Sequence, residues 1–370
     1  MKFLGEKISL TYKRWNVLVV TSILSIFIGV GGITAYIDPV FHYHAPLKQF
    51  AYPLDDERYQ NDGIVRHFNY NAIIAGTSMT ENFKTSECNT MFGQEGEIIS
   101  IKVPFAGAPY REVNENLIRA FESNPDIKLV IRCLDYSGIF EDKDAVWHGV
   151  ADYGYQFPYY LTNDKIFDDV KYLLNKEILL QKTAGVIGYT RQGKETTTFD
   201  DYKYWSDDFP YGKEAVLSSY SLGIERSKNE RRISSDEIQQ VQANIKQNVT
   251  DLADAHPEVD FYMFFPPYSI CYWDKLDQSG LVNWYIDGEN CVIEELLKHP
   301  NIKLYSFCTE YEMICDLENY RDIYHYGGWI NTQILQWLSK DEHRLTLDNY
   351  EIYLEEIRDF YQSYDYQLLY

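Results

Sequence analysis

Phosphate-binding loops, metal-type cysteine pairs and a basic face are all missing from this sequence. Neither G-x-x-x-x-G-K-[ST] nor G-x-G-x-x-G occurs, which removes the Gly-rich backbone cradles that hold nucleotide phosphates. None of the six cysteines, Cys88, Cys133, Cys271, Cys291, Cys308 and Cys315, stands in a C-x-x-C pair. That argues against a zinc ribbon or a thioredoxin-like site and leaves structural or simply buried thiols. Lys and Arg number 34 against 56 Asp and Glu, a formal charge of −22. Away from the N-terminus no cation cluster offers the face that a phosphate polyanion requires, so nucleic acid is not an expected partner. Internal repeats and low-complexity linkers are also missing.

What the 370 residues hold in excess is aromatic surface, with 33 Tyr and 19 Phe in a chain that is 45% apolar. Such a composition is far from disordered and can bury a sizeable core. Tyr suits sugar rings and interfaces, having a flat apolar face and a polar tip. Partly buried packing residues account for most excesses of this kind. The length fits one large α/β domain or two small ones.

Only one long apolar run stands out. Trp15 to Ile37 carries no charge and matches the roughly 20 residues needed to cross a hydrocarbon core. Trp15 and Tyr36 sit near its ends, where aromatic rings prefer the headgroup level. Lys2, Lys7, Lys13 and Arg14 precede it against Glu6 alone. The positive-inside bias then leaves residues 1–14 in the cytoplasm, makes 15–37 a transmembrane anchor and sends the rest across the membrane. A cleaved signal peptide is the competing reading. Thr34-Ala35 offers small residues, but Ile33 makes a poor A-x-A-like site and the run is long, so an uncleaved anchor is favoured.

Beyond the anchor, residues 38–69 form a mixed aromatic connector without clear periodicity. Within it, Asp38, His42 and His44 are read as interfacial polar residues rather than metal ligands. Strands are expected at Asn71–Ala75, Glu97–Val103, Ile127–Tyr136, Val259–Phe265 and Ile302–Phe307, the third apolar enough for the interior of a parallel sheet. Helical spacing marks Arg111–Glu122, Val282–Lys298 and Gly327–Leu338. It also marks a run from Ile238 to Leu252, opened by a Ser234/Glu237 capping box and stopped at His256-Pro257. Residues 137–233 interrupt the alternation as an irregular insertion with one helix expected at Asp164–Gln181. Insertions of this kind shape a cleft or a cap. Strands alternating with helices imply βαβ crossovers, hence one α/β domain over 70–340 with a mainly parallel sheet covered on both faces. A helical tail, 341–370, comes last.

Chemistry concentrates in two short segments. The first strand runs into Ala75-Gly76-Thr77-Ser78-Met79-Thr80-Glu81-Asn82. A Ser at a strand-to-helix turn lifts its hydroxyl above the sheet edge, and its own N–H points toward a developing oxyanion. Gly76 permits the tight turn. An ordinary helix cap is the alternative duty of such a Ser. The second segment is Asp322-Ile323-Tyr324-His325, which holds the only one of eight histidines with Asp three residues before it. In a turn, that spacing lets the carboxylate hold the imidazole tautomer and stabilise the imidazolium formed when His takes a serine proton. The Ser segment follows the first expected strand and D-x-x-H follows the last one, so both belong at the carboxyl edge, where α/β proteins place their sites.

A G-T-S turn after the first strand and D-x-x-H after the last resembles the SGNH/GDSL hydrolase superfamily, through short blocks spread over residues 70–340. The resemblance implies a three-layer α/β sandwich of the flavodoxin-like kind, preceded here by the transmembrane helix, and a Ser78–His325–Asp322 triad. It also implies that Gly107, in Pro104-Phe105-Ala106-Gly107-Ala108, supplies an oxyanion donor beside the N–H of Ser78. At the third block the family carries Asn, whereas this sequence has Asp135, and an ionised carboxylate cannot donate. Thr77 likewise stands where the family has Asp. An anchor joined to such a domain is similar to cell-envelope acyl-transfer proteins of the teichoic-acid D-alanylation and polysaccharide O-acetylation type. That likeness implies an extracytoplasmic serine esterase or O-acyltransferase acting on an envelope glycan or acylated polymer, with a membrane-bound acyl-donor partner and no cofactor. The alternative, which Thr77 and Asp135 favour, is a catalytically decayed module that binds glycan or protein at the membrane surface.

Overall fold

The computed structural model describes residues 11–147, 157–163, 165–221, 223 and 226–369. The chain divides into two compact units, Met1–Pro53 with Pro158–Thr196, and Leu54–Phe157 with Thr197–Tyr370.

The second unit holds a six-stranded sheet. Its strands are β1 (Ala72–Gly76), β2 (Ser100–Pro104), β3 (Leu129–Cys133), β4 (Asp260–Phe265), β5 (Ile302–Ser306) and the two-residue β6 (Arg344–Leu345). The order is β2-β1-β3-β4-β5-β6, parallel throughout except for β6, which runs antiparallel to β5. Every residue of β1, β2 and β3 is buried, which is why these segments read as apolar runs rather than alternations. Two cations interrupt the runs, and each is met by carbonyls. Lys102 donates to the carbonyls of Glu81 and Phe83, and Arg132 to those of Asn248 at 2.7 Å and Tyr110 at 3.2 Å. Burial pulls the Lys102 ammonium down to about 7. From β1 the chain goes out to β2, then crosses back to β3 on the other side. The strand order therefore reverses beyond the carboxyl ends of β1 and β3, where sheets of this kind form a crevice.

Helices Thr85–Phe92, Tyr110–Ser123 and Val282–Leu296 lie in three of the four crossovers, packing on β2, β1 and β5 respectively. The Ser234/Glu237 capping box forms as expected and opens Ser235–Ile245. Several boundaries differ from the sequence reading. β2 begins only at Ser100, and β3 ends at Cys133 because Tyr136 already opens a helical turn. Helices Glu57–His67 and Ile270–Ser279 were not expected. The first buries Glu57, Arg58, Gln60, Asn61 and Asp62, so it has no apolar stripe to read. All six cysteines are unpaired.

The first unit contains Tyr12–Ile37, the one helix among the described residues long and apolar enough to cross a membrane. Lys2, Glu6 and Lys7 lie outside the described residues. From Tyr12 to Gly29 every residue of this helix is exposed, whereas Gly31, Thr34 and Ile37 are covered. The carboxylate of Asp38 accepts from the N–H groups of His42, Tyr43 and His44 and from the hydroxyl of Tyr172, organising the turn that ends the helix. The helix expected at Asp164–Gln181 is broken, and Asp164 lies outside the described residues. In its place stand the turns Ile166–Asp169, Val170–Leu173 and Ile178–Thr183, then helix Ala184–Arg191. Asn175 causes one break, its side chain accepting from the N–H groups of Glu177 at 2.8 Å and Ile178 at 3.4 Å, a local bond that competes with helix continuation. Gly188–Lys194 spells the first seven positions of a phosphate loop, but it closes a helix rather than opening one, and Glu195 stands where Ser or Thr is needed.

Two substitutions test this packing. A Cβ at Gly76, whose φ is +156°, would meet Cys133 Cβ at 2.9 Å and Thr80 Cγ2 at 2.7 Å. Gly76→Ala is expected to destabilise by about 1–3 kcal/mol through overpacking, read as a lower urea midpoint. Glu289 is fully buried and accepts from the hydroxyls of Tyr136 and Tyr353. Burial raises its carboxyl from the ordinary 4.5 to about 7, with the two hydroxyls pulling the other way. The folded state therefore holds a proton that the unfolded chain has released, and stability falls as pH rises from about 4.5 to about 7, then levels. Glu289→Gln is expected to flatten that fall, measured by urea unfolding at about pH 5 and about pH 8.

Candidate active site

β1 ends at Gly76, and Thr77 caps the 3₁₀ turn Ser78–Thr80. The Thr77 hydroxyl accepts the N–H of Met79 at 3.4 Å and donates to Asp135. Capping is thus the work of Thr77, and the hydroxyl of Ser78 is left for another partner. Its Oγ lies 2.8 Å from Nε2 of His325.

His325 is held by a narrow loop beyond β5. Tyr320 and Tyr326 form an antiparallel bridge, Arg321 N–H bonds the His325 carbonyl at 3.0 Å, and Gly327 N–H bonds the Asn319 carbonyl at 3.0 Å. The loop is tied to the end of β4 by the Ser269 hydroxyl, which donates to the Ile323 carbonyl at 2.9 Å, and by the Tyr320 hydroxyl, which donates to that of Pro267 at 2.8 Å. Inside the loop, Asp322 Oδ1 accepts the N–H groups of Tyr324 and His325, each at 2.9 Å. The carboxylate reaches Nδ1 of His325 at 2.8 Å. Burial works against the charge of Asp322, but the hydrogen bonds and attraction of His325 and the two N–H groups outweigh it, holding the carboxyl below its ordinary value. An ionised carboxylate only accepts, so Nδ1 carries the imidazole proton and Nε2 turns its lone pair to Ser78.

The imidazole opens on a cleft of about 470 Å³ lined by Leu54, Asp55, Glu81, Lys203, Tyr204, Trp205, Phe209, Arg321 and His325. Lys203, Tyr204, Trp205 and Phe209, from the insertion, form one wall. Trp205 stands edge-on to His325 at 5.5 Å and donates its indole N–H to Glu81 at 2.6 Å. The Arg321 guanidinium lies 4.6 Å from the Trp205 ring centre and 3.7 Å from that of Phe209. Sequence reasoning missed Glu81, Lys203, Trp205 and Arg321. Glu81 alone had a signal, standing three residues beyond Ser78 in the same turn.

Gly107 lies just past β2, whose last residue, Pro104, pairs with Gly76, so it is on the same edge as Ser78. Among the described residues, the backbone N–H groups of Ser78 and Gly107 have no acceptor. Gly107 has φ +63°, a left-handed conformation that favours glycine. The residue before it, Ala106, is clamped on both sides. Ala106 N–H donates to Glu57 at 2.9 Å and its carbonyl accepts from Arg58 at 2.8 Å. Arg58 in turn pairs with Glu57 at 2.6 Å and Glu112 at 3.0 Å. Burial and the nearby Glu81 raise the Glu57 carboxyl to about 7 despite Arg58.

Asp135 lies just past β3, buried, with one carboxylate oxygen accepting from Tyr268 and the other from Thr77. Burial raises its carboxyl, against the pull of those two hydroxyls and of His325. Both oxygens are engaged as acceptors, so no third oxyanion donor comes from this side chain. The structure thus brings Ser78, Asp322 and His325 into one hydrogen-bonded chain, leaves the N–H of Gly107 open on the same edge, and turns Asp135 inward.

No protein-family model and no curated protein matches this chain. The loop geometry predicts a spectroscopic signature: a downfield imidazole Nδ1–H proton resonance, sharpened by the bond to Asp322. It is expected to vanish in Asp322→Asn, and its persistence there would show that another group holds the ring.

Proposed function

We propose that this chain is a membrane-anchored serine ester hydrolase or O-acyltransferase. The carrying observation is the continuous relay from Ser78 Oγ to His325 Nε2 at 2.8 Å and from His325 Nδ1 to Asp322 at 2.8 Å. In this reading His325 takes the hydroxyl proton as Oγ attacks an ester carbonyl, and Asp322 steadies the imidazolium. The N–H groups of Ser78 and Gly107 receive the charge on the carbonyl oxygen. Collapse expels the alcohol, which takes its proton from His325 and leaves an acyl group on Ser78. Water, or a sugar hydroxyl deprotonated by His325, then takes the acyl group and frees the serine.

The strand order β2-β1-β3-β4-β5 supports a flavodoxin-like three-layer arrangement, and with the relay it supports a divergent SGNH-type domain. Thr77 and Asp135 remain departures from that pattern. Helix Tyr12–Ile37 supports the anchor, and with Lys2, Lys7, Lys13 and Arg14 ahead of it the main part lies outside the cytoplasm in this reading. An ester-bearing envelope glycan or polymer suits the wall of Tyr204, Trp205 and Phe209, since aromatic faces stack on sugar rings. A membrane-bound acyl donor is the partner such a transferase needs. A second reading, a binding module without turnover, is favoured by the acceptor-only setting of Asp135.

A fluorophosphonate probe separates the two. Labelling of the full chain is expected, with its loss in Ser78→Ala. Hydrolysis of an aryl acetate is expected to fall by on the order of 10³-fold or more in Ser78→Ala and in His325→Ala. Folded protein that takes no label favours the binding module, and ester turnover surviving both substitutions would sink the mechanism.

A further inference from the structure

The unit that contains Tyr12–Ile37 carries a second apolar surface. Ile166, Phe167, Val170 and Leu180 are 80%, 94%, 55% and 65% exposed. They sit on the turns Ile166–Asp169, Val170–Leu173 and Ile178–Thr183. Large apolar side chains exposed this close together in sequence point to a surface with a partner.

These turns are fastened to the end of the apolar helix. The Tyr172 hydroxyl donates to Asp38 at 2.7 Å, and the Tyr43 hydroxyl donates to Asp169 at 3.1 Å. A Cβ added at Gly31 would touch Leu173 Cβ at 3.5 Å and Leu174 Cδ2 at 3.8 Å. That contact fixes a depth. Gly31 precedes Tyr36 by five residues, roughly 7 Å along the helix axis at the rise of an α-helix. With Tyr36 at the headgroup level, Leu173 and Leu174 lie below the membrane surface. Exposed Lys165, Lys171 and Lys176 are interleaved with the apolar side chains and are long enough to reach headgroup phosphates. Of the nearby acids, Asp168 pairs with Lys171 at 2.8 Å and Asp169 is engaged by Tyr43, while Glu177 follows Lys176 and is half-buried. Apolar and cationic side chains alternating along one short exposed segment fit a lipid interface.

We propose that residues 166–180 are embedded in the leaflet that holds the C-terminal end of Tyr12–Ile37, with Ile166, Phe167, Val170 and Leu180 facing lipid. The unit is then a membrane-seated foot rather than a simple tether. The proposal rests on reading Tyr12–Ile37 as a membrane anchor and is continuous with that lipid contact.

Nitroxide labels on the full chain in phosphatidylethanolamine–phosphatidylglycerol nanodiscs test it, at Phe167→Cys and Leu180→Cys. Leu18→Cys serves as the lipid reference and exposed Glu195→Cys as the aqueous one. Five of the native thiols are buried, and labelling of the unsubstituted chain gives the background. The ratio of collisions with oxygen to collisions with a water-soluble nickel chelate is the readout. At 167 and 180 it is expected on the order of the Leu18 value and severalfold above that of Glu195. Values like Glu195 at 167 and 180, with Leu18 in lipid, overturn the embedded foot and leave the anchor standing, as when these side chains await a protein partner. A Leu18 value equal to that of Glu195 defeats the anchor itself, and the foot with it.

Discussion

One hydrogen bond, 2.8 Å long, joins the hydroxyl of Ser78 to the imidazole of His325 across 247 residues of sequence. No local preference could produce it. It exists because β1 and β5 run in the same direction within one sheet, so that the loops leaving their carboxyl ends emerge on one edge. Parallel pairing of strands distant in sequence demands the closure of long loops before any contact repays it. The helices Thr85–Phe92, Tyr110–Ser123 and Val282–Leu296 offset that cost by burying their own faces on strands of the sheet. The relay is thus a by-product of topology, sharpened to hydrogen-bonding distance by two turns.

Those turns are fixed mainly by polar groups inside the protein. Lys102 gathers the carbonyls of Glu81 and Phe83, just past the serine. Thr77 and Tyr268 converge on Asp135, linking the ends of β1, β3 and β4. Asp322 gathers two backbone N–H groups before it touches the imidazole. Unpaired, each would be costly to bury. Each is instead paired to backbone or hydroxyl, and through that pairing sets where an edge loop lies.

The sequence was legible wherever burial of apolar side chains decided the outcome. Five strands were expected close to where they lie, and the capping box at Ser234 and Glu237 forms. The segments holding Ser78, Asp322 and His325 could be singled out because one sets a serine at a strand end and the other holds the one histidine with Asp three residues before it. What escaped notice was decided by polar burial or by local competition. Helix Glu57–His67 packs through ion pairs, a pattern without period. Asn175 breaks a run whose apolar spacing alone suggested a helix. The cleft wall at Trp205 comes from irregular chain, where only tertiary contacts with Glu81 and Arg321 give a side chain its place.

The clamp on Ala106 has a consequence for the surroundings the protein tolerates. Arg58, Glu57 and Glu112 have side chains that are 5%, 8% and 9% exposed. Mobile ions screen exposed pairs within about 10 Å at ordinary salt, but reach little into such an interior. Lys143–Asp144 and Lys246–Asp251, out in solvent, will loosen as ionic strength climbs. The turn that carries Gly107 will not, so its shape is indifferent to brine and fresh water alike.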